Sequence, residues 1–376
     1  MRVLIALNAF KGTISAAAAS RAVALGVKKK FPSAAVEVLP IADGGDGLLE
    51  ALAPVFGGRF VHTRVRGPYG TALRARWLLA GRTAVIEMAE AAGLKRAAGR
   101  RLLPLDASTA GVGQLMLAAV RAGAREIVIG LGGSASNDGG AGCAAAFGFE
   151  LLSAAGRPVA PGTHGLAALR AIRPGTAAAR LAGIRVRALA DVSNPLCGRL
   201  GSARIFAPQK GAGPAAVRFI GTVLRSYARL LRRDLGVNVA GLRGGAAAGG
   251  LGAGLAAFFG AELLDGASFV LEKTGFGEKL RSADILITGE GCFDRQTFFG
   301  KAPGAAIARA GAAGKPVVVV CGRSLITDKR ALARRGVAAV IETGGLGRNA
   351  AALKLAVERE LPGLLAGIYQ APSKKV

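Results

Sequence analysis

Val3-Leu4-Ile5-Ala6-Leu7-Asn8-Ala9-Phe10-Lys11-Gly12-Thr13-Ile14-Ser15 opens the chain as an apolar run, a loop and a helix cap. Residues 3–7 read as a buried strand, and Ser15 is placed to cap a helix over 16–29. Val36-Glu37-Val38-Leu39-Pro40-Ile41 reads as the next strand. The loop Asp43-Gly44-Gly45-Asp46-Gly47 then opens a helix over 48–56. Strand–helix–strand–helix predicts a parallel sheet, because only a crossover helix returns the chain for a parallel pairing.

The pattern changes near residue 58. Phe60–Arg66, Leu73–Leu79 and Thr83–Met88 are strand-like and joined by the turns Gly67-Pro68-Tyr69-Gly70 and Ala80-Gly81-Arg82, which predicts an antiparallel meander. Helix-like 108–122, strand Glu126–Leu131, helix-like 141–147, strand Val186–Ala190 and helix-like 214–235 follow. The last third returns to the opening pattern with strands Ile285–Thr288, Val317–Cys321 and Ala338–Ile341 and helices over 302–313 and 349–361. The expected fold is α/β with two domains. A Rossmann-like parallel-sheet domain comes from residues 1–57 plus 281–376. A mixed α/β domain carrying the meander is inserted over 58–280, and the active site is expected in the cleft between them.

The bulk properties agree with a folded globular chain. The 376 residues are long for one core, and 51% hydrophobic with 19% charged residues excludes a disordered chain. The net charge of +27 raises nucleic acid as a partner. The arginines are scattered, however, and the short runs Lys28-Lys29-Lys30, Arg232-Arg233 and Arg334-Arg335 are not interleaved with aromatics. A solvated basic surface that attracts small anionic substrates is the reading adopted, with no specific nucleic acid. The four cysteines form no C-x-x-C pair and there are two histidines, so neither zinc nor a disulfide framework is expected. Free thiols suit a cytoplasmic protein. Residues 244–264 are apolar, but seven glycines and Glu262 interrupt them, so they read as a loop and a buried helix and not as a membrane span. Monomer and homodimer stay equally open.

Chemistry concentrates in three acidic, glycine-rich segments: Asp43-Gly44-Gly45-Asp46-Gly47, Asn137-Asp138-Gly139-Gly140 and Gly289-Glu290-Gly291-Cys292-Phe293-Asp294. Glycine lets backbone amides approach a phosphate, while carboxylates repel it. A Mg²⁺ ion resolves that conflict, since it takes oxygens from a few carboxylates and from substrate phosphates. The combination predicts metal-assisted phosphoryl transfer. Lys11, between a strand and a helix, suits a phosphate or a carboxylate as well as a plain turn. Asp191 ends a strand, where it either closes an Asx-turn or faces a ligand. Lys210 adds a cation in a loop. The stretch Thr288 to Lys301 carries Glu290, Asp294, a hydroxyl and Lys301, more than a structural loop needs.

Gly130-Leu131-Gly132-Gly133-Ser134-Ala135 also satisfies G-x-G-x-x-A after a strand, with Glu150 twenty residues beyond. This keeps an NAD-dependent oxidoreductase as the alternative. Asn137-Asp138 argues against it, because a carboxylate at a pyrophosphate cradle needs a metal. No Walker A sequence, protein-kinase set, G-x-S-x-G or H-E-x-x-H occurs.

Taken in order, these motifs resemble the bacterial glycerate kinase family that is unrelated to P-loop and protein kinases. The resemblance rests on Ala9-Phe10-Lys11-Gly12, Ala42–Gly47, Gly132–Gly142, Asp191–Leu196, Pro208–Ala212, Ala246–Gly252 and Thr288–Gly291 with Asp294 and Gly300-Lys301. It implies ATP-dependent, Mg²⁺-assisted phosphorylation of D-glycerate, usually to 2-phosphoglycerate. Within that scheme Asp191 and Asp294 are assigned to the metal or to activation of the attacking hydroxyl, and Lys11 and Lys301 to phosphate oxygens or the glycerate carboxylate. Asp43, Gly44, Gly45, Gly132, Gly133, Ser134, Asn137, Asp138, Lys210 and Glu290 complete the expected substrate and phosphate site. Three positions depart from the family pattern: Asn8 stands where an Asp is usual, Cys292 where an Arg is frequent, and Ala207 where a Gly is usual.

Overall fold

The computed structural model describes residues 1–10, 12–97, 101–344 and 349–370, with residues 369 and 370 described by backbone alone. Lys11 lies outside the described residues. The chain divides into two compact units, residues 1–55 with 266–376 and residues 56–265. In chain order the strands are β1 (Arg2–Leu7), β2 (Ala35–Val38), β3 (Arg59–Arg66), β4 (Ala72–Ala80), β5 (Thr83–Glu87), β6 (Glu126–Gly130), β7 (Glu150–Ser153), β8 (Leu169–Arg173), β9 (Arg185–Ala190), β10 (Glu262–Asp265), β11 (Ile285–Phe293), β12 (Val317–Ser324) and β13 (Val337–Glu342).

The first unit is a three-layer sandwich around a parallel sheet of order β13-β12-β11-β1-β2. Alternation along β1 explains the layers. Val3, Ile5 and Leu7 pack on one face against helices Ala16–Lys30 and Ala350–Gln370. Leu4 and Ala6 pack on the other against helices Gly266–Lys273, Phe276–Ser282 and Ala302–Ala312. Each such buried Val, Leu or Ile contributes roughly 1.5–3 kcal/mol. Ser15 caps the first helix as expected, its hydroxyl accepting from Ala18 N–H at 3.2 Å. β2 is shorter than the expected 36–41, yet Leu39 and Ile41 N–H still donate to Ile5 O at 2.8 Å and to Leu7 O at 3.1 Å.

The second unit holds a six-stranded sheet of order β10-β9-β6-β5-β4-β3. The meander β3-β4-β5 is antiparallel, whereas β5, β6, β9 and β10 run parallel. Buried Trp77, with its indole N–H donating to Thr63 Oγ1 at 2.9 Å, locks β4 onto β3. The large core also takes in Phe147, Tyr227, Phe258 and Phe259. The small hairpin β7-β8 and strand β10 lie in segments whose sequence alternates weakly.

One local reading is corrected. Gly289-Glu290-Gly291 is not a loop, because β11 continues through it to Phe293, with Glu290 opposite Cys321 and Cys292 opposite Arg323. Glycine serves pairing there. A Cβ at Gly289 would sit 1.7 Å from Val320 O, so only Gly permits the close strand approach.

Candidate active site

In the first unit β1 and β11 are neighbours, but the chain leaves β1 toward β2 and leaves β11 toward β12. That reversal is a topological switch point, where open α/β sheets gather ligands at the strand C-termini. Asn8 follows β1 there, and its N–H donates to Gly289 O at 2.9 Å. Its side-chain Nδ2 donates to Asp43 Oδ2 at 3.1 Å, and both residues are buried. An amide at position 8 therefore makes a hydrogen bond where a second carboxylate would repel. Gly45 N–H donates to Asp43 Oδ1 at 3.3 Å, so this glycine amide faces inward to the acid.

Glu290, in β11, is also buried. Its Oε1 accepts from Thr297 Oγ1 at 2.7 Å, and its Oε2 accepts from Lys301 Nζ at 3.2 Å. Burial pushes the Glu290 carboxyl above the usual range. Thr297 and Lys301 pull it back, and the Asp43 charge adds to the push. Lys301 Nζ also lies 3.6 Å from Asp294 Oδ1. Asp294 caps the short helix Arg295–Phe298: Oδ1 accepts from Gln296 N–H at 2.7 Å and Thr297 N–H at 3.2 Å, and Thr297 Oγ1 accepts from Asp294 N–H. The structure thus brings Asp43, Glu290, Asp294 and Lys301 together.

The second unit supplies a separate constellation after β6. Gly132 is half-buried and Gly133 exposed, with Gly133 at φ +74°, while Ser134 to Gly140 are buried. Asp138 is fully buried and accepts from Thr109 N–H at 2.8 Å, Thr109 Oγ1 at 2.9 Å, and Gly140 and Gly142 N–H, both at 3.2 Å. Burial pushes its carboxyl up, against the pull of those four donors. Lys210 ends the short helix Pro208–Lys210 and is 2% exposed. Its ammonium donates to Ser134 Oγ at 2.7 Å and Ser136 O at 2.6 Å. Burial pushes it down to about 7, with the Asp138 charge opposing. Lys210 therefore braces the loop from beneath and does not project into solvent.

Asn137 Nδ2 donates to Pro104 O at 3.1 Å, while the buried Asn137 Oδ1 and Ser136 Oγ have no protein partner. A turn with three consecutive left-handed residues, Ala248, Gly249 and Gly250, lies against this loop. A Cβ on Gly249 would stand 1.9 Å from Ser136 O. Tyr227, on helix Pro214–Leu235, donates to Gly139 O at 3.2 Å. Asp191 is half-buried at the C-terminal end of β9, the same sheet edge as Gly132, because Leu189 pairs with Gly130.

A family model described as the glycerate kinase family matches residues 3–362. The chain belongs to the glycerate kinase family. It is 39% identical over 322 residues to a glycerate kinase of Halalkalibacterium halodurans, covering 85% of each chain. It is 38% identical over 342 residues to the glycerate 2-kinase of Escherichia coli, covering 90% of each. A solved structure from Salmonella typhimurium LT2, provisionally named glycerate kinase 2, matches with a TM-score of 0.83 at 38% identity over 98% of this chain and 99% of that one. Membership makes the protein a kinase, a phosphotransferase. Among the described residues no helix is long and apolar enough to cross a membrane.

The kinase family displaces the oxidoreductase alternative, and the geometry gives the reason. Glu150 starts β7, which pairs antiparallel with β8, and does not end a parallel strand beside β6 where a ribose-binding acid belongs. The donors present suit a hard cation. No group of three or more His, Cys, Asp or Glu side chains with metal-binding placement occurs among the described residues. Mg²⁺ needs only one or two carboxylates beside phosphate oxygens. Asp294 commits Oδ1 to the cap, and among the described residues no hydrogen bond reaches its Oδ2. Thr109, Ser136 and Tyr227 are site-supporting residues that sequence reasoning missed. Ser108-Thr109 before a helical stretch was the available signal for the first of them.

Proposed function

We propose that this kinase transfers the terminal phosphoryl group of ATP to D-glycerate, giving 2-phosphoglycerate with the help of Mg²⁺. The observation that carries the reading is the run Glu290, Asp294, Lys301 at the switch point of the first unit, with Lys301 bonded to one acid and 3.6 Å from the other. The relative named glycerate 2-kinase, 38% identical, supports the product.

The protein's part is positioning and charge. Lys301 offsets charge developing on the transferred group and keeps Glu290 and Asp294 oriented. Asp294 and Asp191 are each assigned, separately, either to hold Mg²⁺ or to accept the proton of the attacking hydroxyl. Mg²⁺, when bound, draws charge from phosphate oxygens. Gly132 and Gly133 offer their backbone to phosphate, and Lys11 is assigned to a phosphate or the glycerate carboxylate. Asp138 and Lys210 keep the glycine loop in shape from below.

The test is ADP release measured over a panel of short hydroxy acids, with and without Mg²⁺, and NMR of the phosphorylated product. D-glycerate is expected to be the preferred acceptor, phosphorylated at its 2-hydroxyl. Release with no preference for D-glycerate, or phosphorylation at the 3-hydroxyl, overturns the assignment.

A further inference from the structure

The second unit contains a cavity of about 290 Å³ that the site residues above do not line. Its walls come from three places: the segment after Leu196, the short helix Ser202–Phe206, and helix Pro214–Leu235. Arg204 comes from the short helix. Arg218, Thr222 and Arg225 come from the long one, spaced four and three residues apart and so on one helix face. Arg225 Nη2 donates to Thr222 Oγ1 at 3.0 Å, which lays its guanidinium along that face. Gly221 leaves the floor open, since a Cβ there would meet only Ala203 Cβ at 3.6 Å and Arg225 Nη1 at 3.7 Å.

The charge of this cavity is one-sided. No Asp or Glu lines it, and among the described residues none of the three arginines pairs with a carboxylate. All three arginines are exposed, and many other arginines of this basic chain also have no acid partner among the described residues, so what marks these three is that they line one cavity. Cys197 sits on the wall. Arg225 lines the same cavity; burial pushes the Cys197 thiol up while the Arg225 guanidinium pulls it back. Three guanidinium groups gathered without a protein counter-charge repel one another, and an anion that bridges them removes that cost. Guanidinium forks match phosphate oxygens in pairs. The volume holds a small molecule and is below the usual range for drug-sized ligands.

We infer that this cavity is a binding site for a small phosphate-bearing anion of two or more negative charges, held by Arg204, Arg218 and Arg225.

Cys197 provides a reporter inside the site, and half-exposed Cys197 differs from buried Cys143 and Cys321. Exposed Cys292, on the strand that carries Glu290, reports on the other unit. The full-length protein is alkylated with iodoacetamide in the presence of inorganic pyrophosphate, inorganic phosphate or succinate, and each cysteine is followed by mass spectrometry. Pyrophosphate at about ten times its Kd is expected to slow Cys197 alkylation about tenfold, succinate to have little effect, and inorganic phosphate to fall between. In R218Q/R225Q the protection of Cys197 is expected to vanish, while the response of Cys292 and the melting temperature stay as in the parent protein. Unchanged Cys197 alkylation in all three anions overturns the site. Equal protection by succinate overturns its phosphate character. Protection that persists in the double variant overturns the arginine assignment. The kinase reaction is measured separately, so these outcomes are independent of the substrate reading.

Discussion

Lys210 Nζ lies 2.7 Å from Ser134 Oγ, inside the second unit and beneath the glycine loop it supports. The ammonium is buried among a hydroxyl and a carbonyl, and its charge is met at longer range by Asp138. The loop's shape therefore depends on a cation that burial disfavours.

Stability should rise with pH through that lysine. Lys210 titrates at about 7 in the folded chain and near 10.4 when unfolded, so between those values the unfolded state binds more protons. The folded state gains on the unfolded one as pH increases across this window, by up to about 1.4 kcal/mol per unit. K210M lacks the titration. Urea unfolding of both proteins from pH 6 to 10 should show the parent gaining on the variant; a parallel pair of curves would refute the assignment.

Asp138 depends on Thr109 for two of its hydrogen bonds, and Thr109 Oγ1 also accepts from Cys143 N–H at 3.0 Å. T109V keeps the shape and removes the hydroxyl, leaving buried groups unpaired. The expected cost is about 1–3 kcal/mol in chemical denaturation, while T109S stays close to the parent.

Asp294 caps a short helix, and the proposed chemistry would give it a second, separable duty. D294S keeps a capping oxygen, so its melting temperature should stay near the parent value, whereas D294A loses about 1 kcal/mol. Both variants remove the carboxylate and should lower kcat by about two orders of magnitude or more, the scale for a lost general base. D191N is expected to match them in kcat. Turnover near the parent's in D294S and D191N would remove both acids from the chemistry.

Glu290 gives the opposite pH signature to Lys210. Its folded carboxyl titrates above the usual range, chiefly from burial, so the folded state binds more protons than the unfolded one just above pH 4.5. The stability it contributes at low pH is lost as pH rises through the elevated value. Relative to E290Q, the parent should weaken over that interval. K301M removes the nearest cation, so it should widen the interval upward and reduce activity by about a hundredfold.

G249A tests the packing of the turn on the loop. The added methyl would meet Ser136 O at 1.9 Å from a left-handed backbone. Loss of about 3 kcal/mol or more, or failure to accumulate folded protein, is expected.

Much of the architecture was legible because its periodicities are clean. Val3–Leu7, the meander and the long helix 214–235 carry regular apolar patterns and good turn residues. β11 extends past Thr288 against its local sequence, because Gly and Glu are poor strand residues and tertiary pairing with β12 overrides them. Glycine and acid composition identified the segments around Asp43, Asp138 and Glu290. It did not indicate which of their groups face inward. Ser134, Asn137, Asp138 and Lys210 are buried, with hydrogen bonds to partners distant in sequence such as Thr109 and Pro104. Composition also hid the unpaired arginines around Cys197, because sequence shows a scatter of basic residues and not which of them lack acids.

The extension of β11 has a last consequence. Glu290 is not carried on a mobile rim but clamped in the middle of a ladder, with Gly289 paired to Leu7 on one flank and Glu290 itself to Cys321 on the other. Its carboxylate is a fixed datum against which everything else is measured. Any sequence change that repositions groups near it has to act through the segments around that datum, since moving it would shear the whole sheet.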